Sequence, residues 1–172
     1  MAAAYRQLMD GLYLACIIAS GVALVVITLI IPYGVFMRYA LDSAASWPEP
    51  MAVLLMVLFS FIGGAAIYRA KVHISVQAMI NALPESGRRF CSQLSDACML
   101  LTTGFMVYYG ILLVATTWPQ SIAEFPGLSV GLTYLPIPIG GAITLLFIIE
   151  RLWLGDPPPQ SFMYSDQPRD LE

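Results

Sequence analysis

Few residues in this 172-residue chain could do chemistry, and most of them stand alone. His73 is the only histidine. A haem held in a membrane bundle needs two histidines at bilayer depth, and a metal site needs several ligands close together. His73 therefore reads as an interfacial residue that bonds a backbone group or a lipid headgroup. Cys16, Cys91 and Cys98 form no Cys-x-x-Cys pair of the kind a thiol relay uses, and read as small apolar packing residues. No nucleophile stands beside a base, no two carboxylates are paired, and no glycine-rich loop has the pattern that cradles phosphate. Catalysis and cofactor binding have no foothold. What remains is a set of charges. Arg38 and Glu49 either pair across a loop or stand as solvated helix ends. Arg69 and Lys71 either reach anionic headgroups or contact another protein. Asp96 is expected near Arg89 or Arg69.

The elements that must position these groups are four apolar runs free of Asp, Glu, Lys, Arg and His. They are Gly11 to Met37, Pro50 to Tyr68, Ala97 to Ala123 and Phe125 to Ile149. A spanning helix needs about 20 mostly apolar residues to cross roughly 30 Å of hydrocarbon. A charge at the bilayer centre costs about 2.5 to 3.5 kcal/mol even on the insertion scale. Only 11% of the chain is charged, against roughly 25% in soluble domains. The expected fold is an all-α integral membrane domain over residues 1–155, with spans at about 11–37, 49–68, 97–118 and 130–150. Residues 156–172, with Pro157-Pro158-Pro159, are expected to form a disordered tail. The first run, at 27 residues, exceeds the core of a signal peptide, although Ser43-Ala44-Ala45 resembles a small-residue cleavage site. Proteins that move ions through a membrane keep ionisable residues inside it. The charge-free spans therefore argue that this chain does not carry substrate by itself. The net charge of −3 gives no reason to expect nucleic acid.

Orientation follows from the basic residues. Arg6, Arg69, Lys71, Arg88, Arg89, Arg151 and Arg169 fall on one side and only Arg38 on the other, which predicts that both termini are cytoplasmic. Pro32 is expected to kink the first span or end its regular hydrogen bonding. Ser46-Trp47-Pro48-Glu49 reads as a capping box opening the second, with Trp47 at headgroup level. Gly63-Gly64 either weakens that span or lets another helix approach. The fourth is expected to start around Pro136 and Pro138. Between spans two and three, Ile74, Val76, Met79, Ile80 and Leu83 fall mostly on one face. They predict an in-plane amphipathic helix over about 74–83, ended by Pro84. Ser86 then caps a helix that runs through Phe90, Leu94 and Cys98, a one-face spacing, into the third span.

The order of these features resembles the small membrane subunit of tripartite ATP-independent periplasmic (TRAP) transporters. The resemblance begins at Arg38-Tyr39, continues through Trp47-Pro48-Glu49 and Phe61-Ile62-Gly63, and is sharpest at Arg69-Ala70-Lys71-Val72-His73-Ile74-Ser75-Val76. Leu83-Pro84, Arg88 and Tyr134-Leu135-Pro136-Ile137-Pro138-Ile139-Gly140 complete it. Two positions depart from the family's pattern. Glu49-Pro50 stands where two adjacent acids are common, and Gln77 stands where an Asp is common. The resemblance implies a non-catalytic scaffold without cofactor or metal. Its implied partners are a large elevator-type membrane subunit that holds substrate and sodium, a periplasmic binding protein for organic acids, and membrane lipids. Arg38, Tyr39, Trp47, Glu49, Arg69, Lys71, His73 and Arg88 are the implied contacts to partner or lipid. Two other readings of the same residues stay open. One is a membrane anchor or redox subunit with a chromophore near His73. The other is an oligomeric channel lined by Thr28, Ser60, Thr102, Thr103 or Thr144.

Overall fold

A computed structural model describes residues 2–43, 45–70 and 85–154. Helix α1 (Ala2–Ala40) is followed by α2 (Pro48–Ala70) and α3 (Glu85–Thr117). A hairpin of β1 (Ser121–Ile122) and β2 (Phe125–Ser129) leads to a short α4 (Val130–Tyr134) and then to α5 (Pro136–Leu154). Four stretches are long and apolar enough to cross a membrane: Tyr5–Ala40, Pro48–Ala70, Gln93–Thr117 and Val130–Trp153. The four expected spans are thus present. The expected in-plane helix over 74–83 and the tail over 156–172 lie outside the described residues.

The helix ends depart from expectation in several places. Helix α1 continues through Pro32 for two further turns. It closes where Met37 accepts from the Ser43 amide at 3.1 Å, in a turn that places Asp42 at φ 50°. Aspartate tolerates that left-handed region better than most residues. Helix α2 starts at Pro48, not after a Ser46 cap. The Trp47 carbonyl accepts from Met51 at 3.2 Å, which puts Pro48 in the first helical position, where its missing N–H costs nothing. The capping box fails because the Glu49 carboxylate turns to Arg38 instead. Helix α3 begins at Glu85, so Ser86 lies in the first turn and is not the cap.

At the other end of α3, the segment between the expected third and fourth spans contains the hairpin. Ser121 pairs with Ser129 and Ile122 with Phe125, with an irregularity between them. The Ser129 hydroxyl donates to the Trp118 carbonyl at 2.6 Å and accepts from the Gly131 amide at 3.0 Å. It therefore ties the loop to α3 while capping α4. The proline pair then divides the fourth span into α4 and α5.

The principal packing pairs are α1 on α2, α2 on α5 and α5 on α3. The spans thus stand in a row, with α1 and α3 at its edges. Close approach in the middle of the row depends on glycine. A Cβ at Gly140 would sit 2.7 Å from the Phe61 carbonyl oxygen, and one at Gly110 would sit 3.0 Å from the Pro138 ring. Of the Gly63-Gly64 pair, only Gly63 faces a neighbour, Ser20 of α1. The buried cluster of Met9, Tyr13, Cys16, Ile62, Ala65, Ala66 and Phe147 lies where α1, α2 and α5 meet, toward the end that holds both described termini. Elsewhere large apolar side chains face outward in number, as hydrocarbon surroundings permit.

Candidate functional site

The charge-free run of α2 ends at Arg69, the last charge-bearing position of that helix. Its side chain is only 3% exposed. Arg69 Nε donates to Glu150 Oε2 at 2.9 Å and Nη2 donates to Glu150 Oε1 at 2.8 Å, a two-pronged contact. The same Nη2 reaches Asp10 Oδ1 at 2.7 Å. The Arg69 carbon Cζ lies 5.5 Å from the Tyr13 ring centre and 5.2 Å from that of Phe147, close enough for cation–π attraction. Glu150 is 5% exposed in its side chain, whereas Asp10 is 51% exposed and opens to the surroundings. One residue further along α5, Arg151 pairs with Asp96 of α3 at 2.8 Å. Consecutive side chains on a helix point about 100° apart. Glu150 and Arg151 therefore reach in different directions, one to Arg69 of α2 and through it to Asp10 of α1, the other to α3. The last turns of α5 bind all three other spans at one level.

At the opposite end, Arg38 Nη2 meets Glu49 Oε1 at 3.1 Å, with both side chains more than half exposed. Tyr33 and Trp47 stack beside them with ring centres 5.7 Å apart, and Tyr39 is 82% exposed. A cleft of about 100 Å³ runs between Gly34, Arg38, Tyr39, Pro48 and Glu49. Small-molecule sites usually enclose roughly 300 to 1,000 Å³, so this notch is too small to hold a substrate.

The two groups stand at opposite ends of α2. The 20 steps from Glu49 to Arg69 put them roughly 30 Å apart. The structure therefore joins Arg38 with Glu49, sets Tyr39 and Trp47 beside them, and keeps Arg69 away. Lys71 and His73 lie outside the described residues. Arg88 lies on the first turns of α3, with its side chain outside the description. Two expectations are corrected. Asp96 pairs with Arg151 on the neighbouring α5 and not with Arg69, while the Arg89 side chain lies outside the description. Arg69 is held inside the protein by two carboxylates and does not reach a headgroup. The sequence reading named neither Asp10 nor Glu150 as a partner. A signal was present. Asp10, Arg69 and Glu150 are each the first charge beyond the same-side end of an apolar run, so folding must bring them to one height.

Chemically, the Arg69 group is a clamp. Two carboxylates share one guanidinium across three helices, through its Nε and Nη2, and Nη1 has no hydrogen-bond partner among the described residues. Among the described residues no three His, Cys, Asp or Glu side chains gather as a metal site would require. Thr28, Thr103 and Thr144, considered above as channel lining, each donate to the carbonyl four residues earlier in their own helix.

Comparison with known proteins agrees with this picture. Residues 27–156 match the family model described as the DctQ component of tripartite ATP-independent periplasmic transporters. A Haemophilus influenzae protein named as a TRAP transporter small permease protein is 26% identical over 135 residues, covering 75% of this chain and 80% of the relative. A second protein of that organism with the same name is 27% identical over 130 residues, covering 76% and 78%. The ectoine TRAP transporter small permease protein TeaB of Halomonas elongata is 27% identical over 131 residues, covering 76% of this chain and 67% of its own length. With four membrane-length helices, charges consumed in holding those helices together, and a family match over most of its length, the chain belongs to the DctQ family, the small permease component of TRAP transporters.

Proposed function

We propose that this chain is the non-catalytic scaffold subunit of a sodium-coupled, binding-protein-dependent TRAP transporter for organic acids. It stands in the inner membrane with both termini in the cytoplasm, beside a large membrane subunit that holds substrate and sodium and moves. The observation that carries the reading is the use made of the charges. The best-buried ones, Arg69 and Glu150, are spent on each other, and with Asp10 they join α1, α2 and α5 into one block. A fixed block is what a moving neighbour needs to push against. The basic residues Arg6, Arg69, Lys71, Arg88, Arg89 and Arg151 gather on one side of the spans and support the orientation. Lys71, His73 and Arg88 would then meet headgroups or the large subunit at the cytoplasmic face. Arg38, Tyr39, Trp47 and Glu49 would face the periplasm, where the binding protein arrives.

Vesicle reconstitution tests this. The chain alone should leave a sodium gradient and an organic acid pool undisturbed. Together with the large subunit and the binding protein it should support sodium-dependent uptake. Uptake at an undiminished rate by the large subunit and binding protein without this chain would overturn the proposal. Charge reversal at Arg38 or Glu49 should lower uptake when binding protein is limiting while leaving assembly intact; loss of assembly would instead assign that pair to folding.

A further inference from the structure

Helix α3 stands at one edge of the row and packs chiefly on α5 and α4, which leaves its far side without a neighbour among the described residues. That side carries Leu94, Cys98, Leu101, Phe105, Tyr108 and Leu112, all exposed and spaced alternately by four and three residues. Such a spacing makes a straight seam for one facing helix. Composition alone would not separate that seam from a lipid-facing surface, because hydrocarbon accepts leucine readily. The tyrosines do separate them.

Tyr108 lies twelve residues after Asp96 and ten before Trp118, about 18 and 15 Å along the helix from the polar ends of this span. Its Cα is therefore near the bilayer centre. Helical side chains lean toward the N-terminal end of their helix. The phenols of Tyr108 and Tyr109 consequently tilt away from the nearer interface at Trp118 and toward the middle. The rings are fixed there. Phe105 and Tyr109 stack at 4.3 Å between centres, and Tyr108 meets Tyr109 edge-on at 5.1 Å. Among the described residues neither hydroxyl meets an acceptor, and hydrocarbon supplies none.

We infer that the outward seam of α3 is the surface on which a transmembrane helix of the large subunit packs, and that this helix presents a carbonyl, amide or hydroxyl acceptor to Tyr108 and Tyr109. The inference rests on the scaffold reading above and adds the place of contact. Two donors at mid-membrane depth demand a polar complement, and lipid chains cannot provide it. The α1 edge, by contrast, exposes Leu24, Val25 and Leu29, which carry no such demand.

The test uses the full chain co-expressed with the large subunit. Cys16, Cys91 and Cys98 are replaced by serine or alanine, and single cysteines are introduced by Leu101→Cys, Tyr108→Cys or Leu112→Cys, with Val25→Cys and Leu29→Cys as controls. Each is labelled with a benzophenone maleimide and irradiated in native membranes. The expected product is a one-to-one adduct with the large subunit from the three α3 positions, about tenfold more abundant than from the controls. In parallel, the double variant Tyr108→Phe, Tyr109→Phe keeps both rings and removes both hydroxyls. It should lower co-purification of the large subunit by roughly tenfold, since each intramembrane hydrogen bond is worth a few-fold in affinity. Adducts between two copies of this chain, adducts with lipid alone, stronger adducts from the α1 controls, or unchanged co-purification of the double variant would each overturn the inference. If the large subunit co-purifies but α3 does not cross-link to it, only the interface is wrong. If the unaltered chain retains no large subunit at all, the scaffold reading falls and takes the interface with it.

Discussion

Replacing Arg69 by methionine is the most demanding perturbation of this fold. Methionine keeps much of the length and apolar stem but removes the guanidinium, leaving the Glu150 carboxyl 5% exposed and without the two donors at 2.9 and 2.8 Å that it accepts from. Breaking a buried ion pair from one side costs about 3 to 5 kcal/mol, because the remaining charge has lost its solvent as well as its partner. In a chain of this length each kcal/mol moves Tm by about 2 to 4 °C, so Arg69→Met should lower Tm by roughly 6 to 20 °C. Asp10 is half exposed, and Asp10→Asn should cost about 1 kcal/mol or less. The pair of substitutions Arg69→Met with Glu150→Met removes both charges and should regain at least half of the loss, since apolar replacement of a whole buried pair is often near neutral. Thermal unfolding of the purified protein in detergent, followed by tryptophan fluorescence, reads the unaltered protein, Arg69→Met, Glu150→Met and their double variant as a cycle, with Asp10→Asn beside them. If Arg69→Met falls no further than Asp10→Asn, or if the double variant shows no recovery, then Glu150 is hydrated and the clamp does not hold the helices.

Two further outcomes follow from the packing. Gly140→Ala places a Cβ 2.7 Å from the Phe61 carbonyl oxygen and should destabilise by about 1 to 3 kcal/mol, while Gly64→Ala, with nothing within 4 Å, should be neutral or slightly stabilising; Tm comparison of the two checks this. Arg38→Ala and Glu49→Ala should each shift stability by less than about 1 kcal/mol, because both side chains are more than half exposed, and a larger loss in the same assay would mean that the loop depends on them.

The spans were legible because the bilayer imposes one rule on every residue within it, and a charge-free run reports compliance directly. The pairing of Arg38 with Glu49 was one of two readings the sequence left open: both flank one short loop, so their separation is bounded by the chain itself, but charge alone did not separate a pair from two solvated helix ends. Partners across long separations were not legible. Arg69 and Glu150 are 81 residues apart, and their contact depends on which helices become neighbours. A run of apolar residues states that a helix crosses the membrane, but not what stands beside it. The same ignorance assigned Asp96 to Arg89 or Arg69, when α5 packed on α3 gives it Arg151. The hairpin after α3 was missed because Gln120 to Ser129 contains no alternating pattern. Its pairing relies on the Val130 amide bonding to Gln120 at 2.8 Å and on the double contact of Ser129.

The Arg69 clamp also has a place in time. A ribosome makes Asp10 and Arg69 first and must add 81 more residues before Glu150 exists. At about 5 to 20 residues per second, that interval is on the order of 4 to 16 s. Throughout it the nascent polypeptide holds an arginine at the membrane border with one carboxylate instead of two. Closure of the clamp therefore waits for the helix that carries Glu150, and a truncated product lacking α5 would leave Arg69 with Asp10 as its one carboxylate partner in the clamp.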